Sequence, residues 1–318
     1  MTQGLVRPPH PTDLVALLAF RRHPQTRALT TSAWPRVQPE LRPLALLRLL
    51  HAAIRADCVW VALAGPAVLG MVSARPRAKG LIWDVEHLHV RGDQLPVATE
   101  LLERVVERAG AASARRVLLE LPAGDEGAEP ARRAGFERYG RATLYVLRPP
   151  FKAKREDVFA ARPRLRADEL ALFQLYNAAV PAHVRTAEAM TQEEWVGLHR
   201  GSRPWAPTIF GDRQQYVWEL GATLAGQLEV VYGQRSQYLE LLVHPRYEAA
   251  TDKMLRAALA QTSEKAPVYC VARDYQAGLA AALEREGFRP VGESELFVRQ
   301  VALRVRERGL VTAKAMSG

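Results

Sequence analysis

The chain has 318 residues, 48% apolar and 25% charged, proportions that exclude a disordered protein and leave room for two domains of ordinary size. No apolar run is long enough to span a bilayer, which excludes a helical membrane protein, and the first 13 residues lack the charged start and apolar core of a signal peptide. The net charge is +10, from 44 basic and 34 acidic residues, and its excess lies between Leu14 and Trp83, where ten basic residues face only Glu40 and Asp57.

In chain order, the pattern predicts a short strand at 5–8 and, after Pro11-Thr12-Asp13, an amphipathic helix to Phe20. A second, Leu-rich helix follows over 40–55. Strands at 58–64, 68–75 and 81–90 are joined by Gly/Pro turns. A helix over 98–109, a strand at 117–121 and a short helix at 126–134 lead to Gly135-Phe136. Two final strands, 136–139 and 142–147, close this half. Arg148-Pro149-Pro150 opens a charged linker, and the order then repeats. The strands of the second half are 216–220, 223–232, 238–243 and 268–272, and its helices are 250–262 and 276–286. Gly135-Phe136 and Gly287-Phe288 align at a spacing of 152, Val90 and Val243 at 153, and Arg7-Pro8 with Arg162-Pro163 at 155. Matching blocks in the same order at a nearly constant offset mean two copies of one domain. The expected organisation is 1–148, a linker 149–157, 158–303 and a tail 304–318. The fold class is mixed α/β, each copy a mostly antiparallel sheet flanked by helices and containing one parallel crossover.

With this order, the passages Leu88-His89-Val90 … Leu101-Leu102 and Leu241-Leu242-Val243-His244-Pro245-Arg246 … Met254-Leu255, and the terminal Gly-Phe pairs, the chain resembles the Gcn5-related N-acetyltransferase (GNAT) family, once per half. The resemblance implies binding of acetyl-CoA or another acyl-CoA as co-substrate. In that family an Arg/Gln-x-x-Gly-x-Gly/Ala loop at the start of a helix holds the pyrophosphate with backbone N–H groups and the helix dipole. The first copy has Asp93-Gln94-Leu95-Pro96-Val97-Ala98 there, and Pro96 has no N–H to give. The second has Arg246, Tyr247, Glu248, Ala249, Ala250 and Thr251, with every N–H present and a Thr251 hydroxyl as an added donor. With Leu242 and Val243 on the preceding strand, these form the expected cofactor-binding set. The family's proton-donating tyrosine falls on Ala131 and Leu283, neither of which transfers a proton. Tyr275 begins the same second-copy helix, two turns from that position. Strand carboxylates are the candidate bases, Glu86 and Asp84 in the first copy, Glu240 and Glu219 in the second, and Glu240 is the one selected. Alternation puts it on one sheet face with Leu242, opposite Leu239, Leu241 and Val243. His244 is either a cap or a base.

The expectation is an acyl-CoA-dependent N-acyltransferase working from the second copy on an amine acceptor, a small molecule or a protein. The alternative is a non-catalytic tandem module for a protein or nucleic-acid partner. The basic segment reads either as a surface for an acidic partner or as a solvated face. No metal site is expected from the histidine spacing, and no membrane partner. Cys58 and Cys270 read as buried free thiols, which points to a reducing cytoplasm.

Overall fold

The computed structural model describes residues 5–31, 58–92, 94–152, 161–199, 212–221, 223–233 and 235–301. The N-terminal half contains β1 (Leu5–Arg7), α1 (Leu14–Arg22), β2 (Thr26–Ala28), β3 (Val59–Ala64), β4 (Ala67–Arg77), β5 (Ile82–Arg91), α2 (Leu95–Ala111), β6 (Arg116–Pro122), α3 (Ala128–Arg133) and β7 (Glu137–Leu147). The C-terminal half contains β8 (Arg162–Pro163), α4 (Glu169–Ala179), α5 (Ala182–Glu188), α6 (Gln192–His199), β9 (Asp212–Leu220), β10 (Thr223–Tyr232), β11 (Gln237–Val243), α7 (Thr251–Leu259), β12 (Val268–Arg273), α8 (Ala277–Arg285) and β13 (Arg289–Gln300). The expected helix over 40–55, most of the linker and the tail lie outside the described residues.

The blocks that match between copies have identifiable structural work. Arg7 forks onto Asp13, whose carboxylate also accepts from His10 N. Arg162 forks onto Asp168 in the same way, and Asp168 accepts from Leu165 N. A bidentate guanidinium–carboxylate pair thus fixes the entry of each half. Gly135 and Gly287 have φ of +77° and +88°, which only glycine adopts without strain. They let Phe136 N reach Ala131 O and Phe288 N reach Leu283 O, both at 3.0 Å, and so terminate α3 and α8.

The sheet departs from the expected closure. Each half supplies one long final strand, not two, and the halves exchange them. A single 13-stranded sheet runs β1-β3-β4-β5-β6-β13-β7-β12-β11-β10-β9-β8, with β2 beside β5. β13 lies antiparallel between β6 and β7, and β7 lies antiparallel against β12. The exchange extends into the cores. Phe297 is fully buried among Trp60, Leu101, Leu119 and Phe136 of the N-terminal half. Tyr145 and Leu147 pack with Leu239, Met254 and Phe288 of the C-terminal half. α2 buries Val97, Leu101, Leu102 and Val105 at helical spacing against the first of these cores. A buried ion pair adds to the join: Glu194 of α6 meets Arg115 at 2.9 Å and Arg116 at 3.0 Å. Both cysteines are buried and free, and no helix among the described residues is long and apolar enough to cross a membrane.

Candidate functional site

Among the described residues each half contains one parallel strand pair, β5 with β6 and β11 with β12. Parallel pairing ends at Val85↔Leu119 in the first and Leu239↔Cys270 in the second, while the strands run on. The crevice beyond carboxyl ends that part in this way is where ligands enter α/β sheets. The two crevices differ in what fills them.

In the N-terminal half the inner edge of β5 is taken by main chain. β2 pairs with it at Thr26↔Arg91, Arg27↔Val90 and Ala28↔His89. Leu29 N then donates to Leu88 O at 2.8 Å, and the Thr30 hydroxyl donates to Glu86 O at 3.2 Å. Leu29 is fully buried, and Thr30 and Thr31 nearly so. Burying that leucine is worth about 1.5–3 kcal/mol by itself. Arg27 anchors the same segment to Glu126 at 2.8 Å. This crevice is sealed by its own chain, a closure added to Pro96, which sits in the first turn of α2. Asp93 is outside the described residues.

In the C-terminal half the equivalent carbonyl, Leu241 O, 153 positions on from Leu88, accepts from a side chain, Gln276 Nε2 at 3.1 Å, and no described strand pairs with the inner edge of β11 there. The same amide is held at its other end, where Oε1 accepts from Arg273 N at 3.0 Å, so uncovering the carbonyl breaks two side-chain bonds, a net cost of ~1–3 kcal/mol. His244 N bonds to Ala225 O on the β10 side, so strand alternation directs the N–H groups of Leu241 and Val243 to the crevice. Leu242 and Val243 are half-buried, Val243 against the α7 core and Leu242 on the opposite face with Tyr275 and α4. Glu240 is exposed on the Leu242 face, as alternation implies.

The loop before α7 is a 3-10 turn, Pro245–Ala250. Its first donors are already used. Arg246 N donates to His244 Nδ1 at 3.1 Å and Tyr247 N to His244 O at 2.8 Å. His244 is therefore a cap, and burial followed by the charge of Arg246 lowers its pKa, keeping the ring neutral. Thr251 is not the added donor the sequence suggests: its hydroxyl is buried and donates inward to Glu248 O at 2.6 Å. Arg246, Glu248 and Ala249 are exposed, and Tyr247 and Ala250 half-buried. A Cβ on Gly278 would collide with the Glu248 carboxylate, so Glu248 lies on the first turn of α8, where the helix dipole favours an anion. For an acyl-CoA the inner edge of β11 beyond Leu239, with which no described strand pairs, and the Arg246 cation fit, while Glu248 has to swing aside before a pyrophosphate can settle.

The remaining sequence candidates are committed elsewhere. Glu86 pairs with Arg75 at 3.1 Å, Asp84 with Arg77 at 2.8 Å and Glu219 with Arg162. Arg75, Arg77, Lys79 and Arg27 of the basic segment all meet carboxylates from other elements. Ala131 and Leu283 are fully buried. Two features escaped the sequence. Glu229 sits directly across from Glu240 on β10 and is buried, held by Arg213 and by Gln215 Nε2 at 2.5 Å. Burial and then the charge of Glu240 raise its pKa. Next to the crevice, the Tyr139 hydroxyl donates to Glu188 at 2.9 Å, and Arg273 at the end of β12 meets the same carboxylate at 3.3 Å. The alternation of Glu229 with apolar neighbours was a visible signal. The Tyr139 contact depends on the strand exchange and has none.

The parallel crossover with parting strands, repeated in tandem, is the fold of the Gcn5-related N-acetyltransferases. Among solved structures, the chain is similar to a GCN5-related N-acetyltransferase from Sphaerobacter thermophilus, with TM-score 0.57 and 13% identity over 95% of this chain and 96% of that one. A functionally unknown conserved protein from Staphylococcus epidermidis matches with TM-score 0.54 and 13% identity, over 74% of this chain and 92% of its own. A GCN5-related N-acetyltransferase from Anabaena variabilis matches with TM-score 0.51 and 12% identity, over 94% and 73%. No family model and no curated protein matches the sequence. At these identities the likeness establishes the fold and leaves the activity to be argued from the site.

Proposed function

We propose that the protein is an acyl-CoA-dependent N-acyltransferase whose working site is the crevice between β11 and β12. The observation that carries this reading is the contrast at one repeated carbonyl. Leu88 O is sealed by a backbone strand with a buried leucine, whereas Leu241 O is covered by the side chain of one glutamine, bonded also to Arg273 N. The Val243 N–H, directed into the crevice, would stabilise the oxyanion formed when an unprotonated amine attacks the thioester carbonyl. Glu240 would take the proton from the nitrogen as the carbon–sulfur bond breaks and the thiolate leaves. With no tyrosine at Leu283, positioning and backbone donors supply the rate enhancement. The first half serves as structure.

A second reading is favoured by one specific feature. The donors of the loop are internally bonded and Glu248 occupies the anion-favouring end of α8, as suits a scaffold that has given up its ligand. Calorimetry with acetyl-CoA and longer acyl-CoAs separates the two. The acyltransferase reading requires one molecule bound per chain; no heat with any acyl-CoA leaves the scaffold reading standing.

A further inference from the structure

The tandem arrangement does more than join two copies. In the β7–β13 pairing, Gly140 faces Leu296 and Arg138 faces Phe297, so Tyr139 is an extra residue, a bulge. Bulges re-aim side chains, often beside functional sites. This one turns Tyr139, a residue of the first half, onto Glu188 of the second. Burial, then the charge of Glu188, push its phenol well above its ordinary range, so it remains a donor. The matching bulge in the other copy falls at Val291, between Pro290 and Gly292, 152 positions on. Val291 has no polar group, so of these two bulges the one at Tyr139 alone turns a polar side chain out of the sheet.

Arg273 completes the group. It stands on the same sheet face as Glu240, three residues beyond the last parallel pair. It meets Glu188 through Nη2, and Nη1 is buried with no hydrogen-bond partner among the described residues. A guanidinium normally engages carboxylates with both prongs, and a buried donor left without a partner is unfavourable. Tyr275, half-buried beside Arg273 and Glu188, forms the apolar wall.

We propose that the crevice formed by Tyr139, Glu188, Arg273 and Tyr275 is the acceptor pocket of the C-terminal site, and that it takes a small amine bearing a carboxylate, an amino acid or close relative. The carboxylate sits on Arg273 Nη1 and the amine is directed toward Glu240. This rests on the acyltransferase reading. The test is ligand-observed NMR with matched pairs: alanine and ethylamine, phenylalanine and 2-phenylethylamine, tyrosine and tyramine, and glycine and methylamine. At least one amino acid binds ten-fold or more tightly than its decarboxylated partner. Arg273→Gln abolishes the preference, Arg273→Lys retains part of it, and Tyr139→Phe weakens it several-fold with the circular dichroism unchanged. Should Arg273→Gln not fold, the Lys and Phe variants carry the test. Equal binding within every pair, no binding of any amino acid, or a preference that survives in the folded variants overturns the proposal. Acetyl-CoA binding without amino-acid preference overturns this proposal alone. Amino-acid binding without any acyl-CoA binding removes the acyltransferase reading, and with it the acceptor role.

Discussion

Replacing Phe297 by alanine tests the strand exchange. Phe297 belongs to the last strand of the C-terminal half, yet it is fully buried in the core of the N-terminal half. Removing a buried phenylalanine ring costs about 3–5 kcal/mol through lost transfer energy and the cavity left behind. That is a large share of the roughly 5–15 kcal/mol that holds a domain folded. The loss should appear in elements that precede Phe297 by more than 150 residues. Hydrogen exchange should accelerate in residues 116–122, which pair with β13, and in residues 97–109 of α2. The guanidinium midpoint should fall in a single transition, since one sheet links both halves. Tyr145→Ala should mirror this, loosening residues 237–243 and 268–273 of the C-terminal half. Acceleration confined to residues 212–301 in the Phe297 variant would refute the exchange.

Removing the carboxylate that lies on α8, by Glu248→Gln, should tighten acetyl-CoA binding about five-fold, because a like charge near the phosphates costs on the order of 1 kcal/mol; calorimetry reads this directly. Ala249→Asp should abolish that binding, while Pro96→Asp, in the sealed half, leaves it unchanged. If turnover is found, Glu240→Gln should lower kcat with acyl-CoA affinity retained, and full activity in that variant would exclude Glu240 as the base. Glu194→Gln should cost about 3–5 kcal/mol by stranding Arg116 in the interior. In the intact protein burial pushes the Glu194 carboxyl up, but the Met190 N–H and Arg115 and Arg116 outweigh it, and its pKa lies below the ordinary value. Asp168 is likewise held low, by Arg162. The unfolded chain then binds more protons than the folded one, so stability is complete above the ordinary carboxylate range and is lost as pH falls from about 5 toward 2. Denaturation midpoints measured across that range should show a shallower slope in Glu194→Gln.

The sequence made the repeat, the strand and helix order and the parallel crossover legible, because each leaves a periodic or punctuated trace. Apolar spacing marks α2, and Gly135 and Gly287 mark helix ends that need a positive φ. The repeated Arg-Pro and Asp were visible, but not that they form a fork. The exchange of β7 and β13 was not legible, since either pairing satisfies the same alternation of Leu144, Val146, Leu296 and Val298. β2 was hidden for another reason: a three-residue strand carries no period, and its hold on β5 comes from tertiary contacts of Leu29. At the site, Glu240 and the loop Arg246–Thr251 could be placed by counting. The inward turn of Thr251 and the contacts of Gln276 and Glu248 depend on how α8 meets the loop, which composition does not encode.

The claim that the C-terminal crevice is the one usable ligand site is tested most directly by hydrogen exchange with and without saturating acetyl-CoA. Protection is predicted in residues 240–251, covering the inner edge of β11 and the loop before α7, with residues 86–98 of the sealed half unchanged. Protection of 86–98, or none at 240–251, would contradict the account.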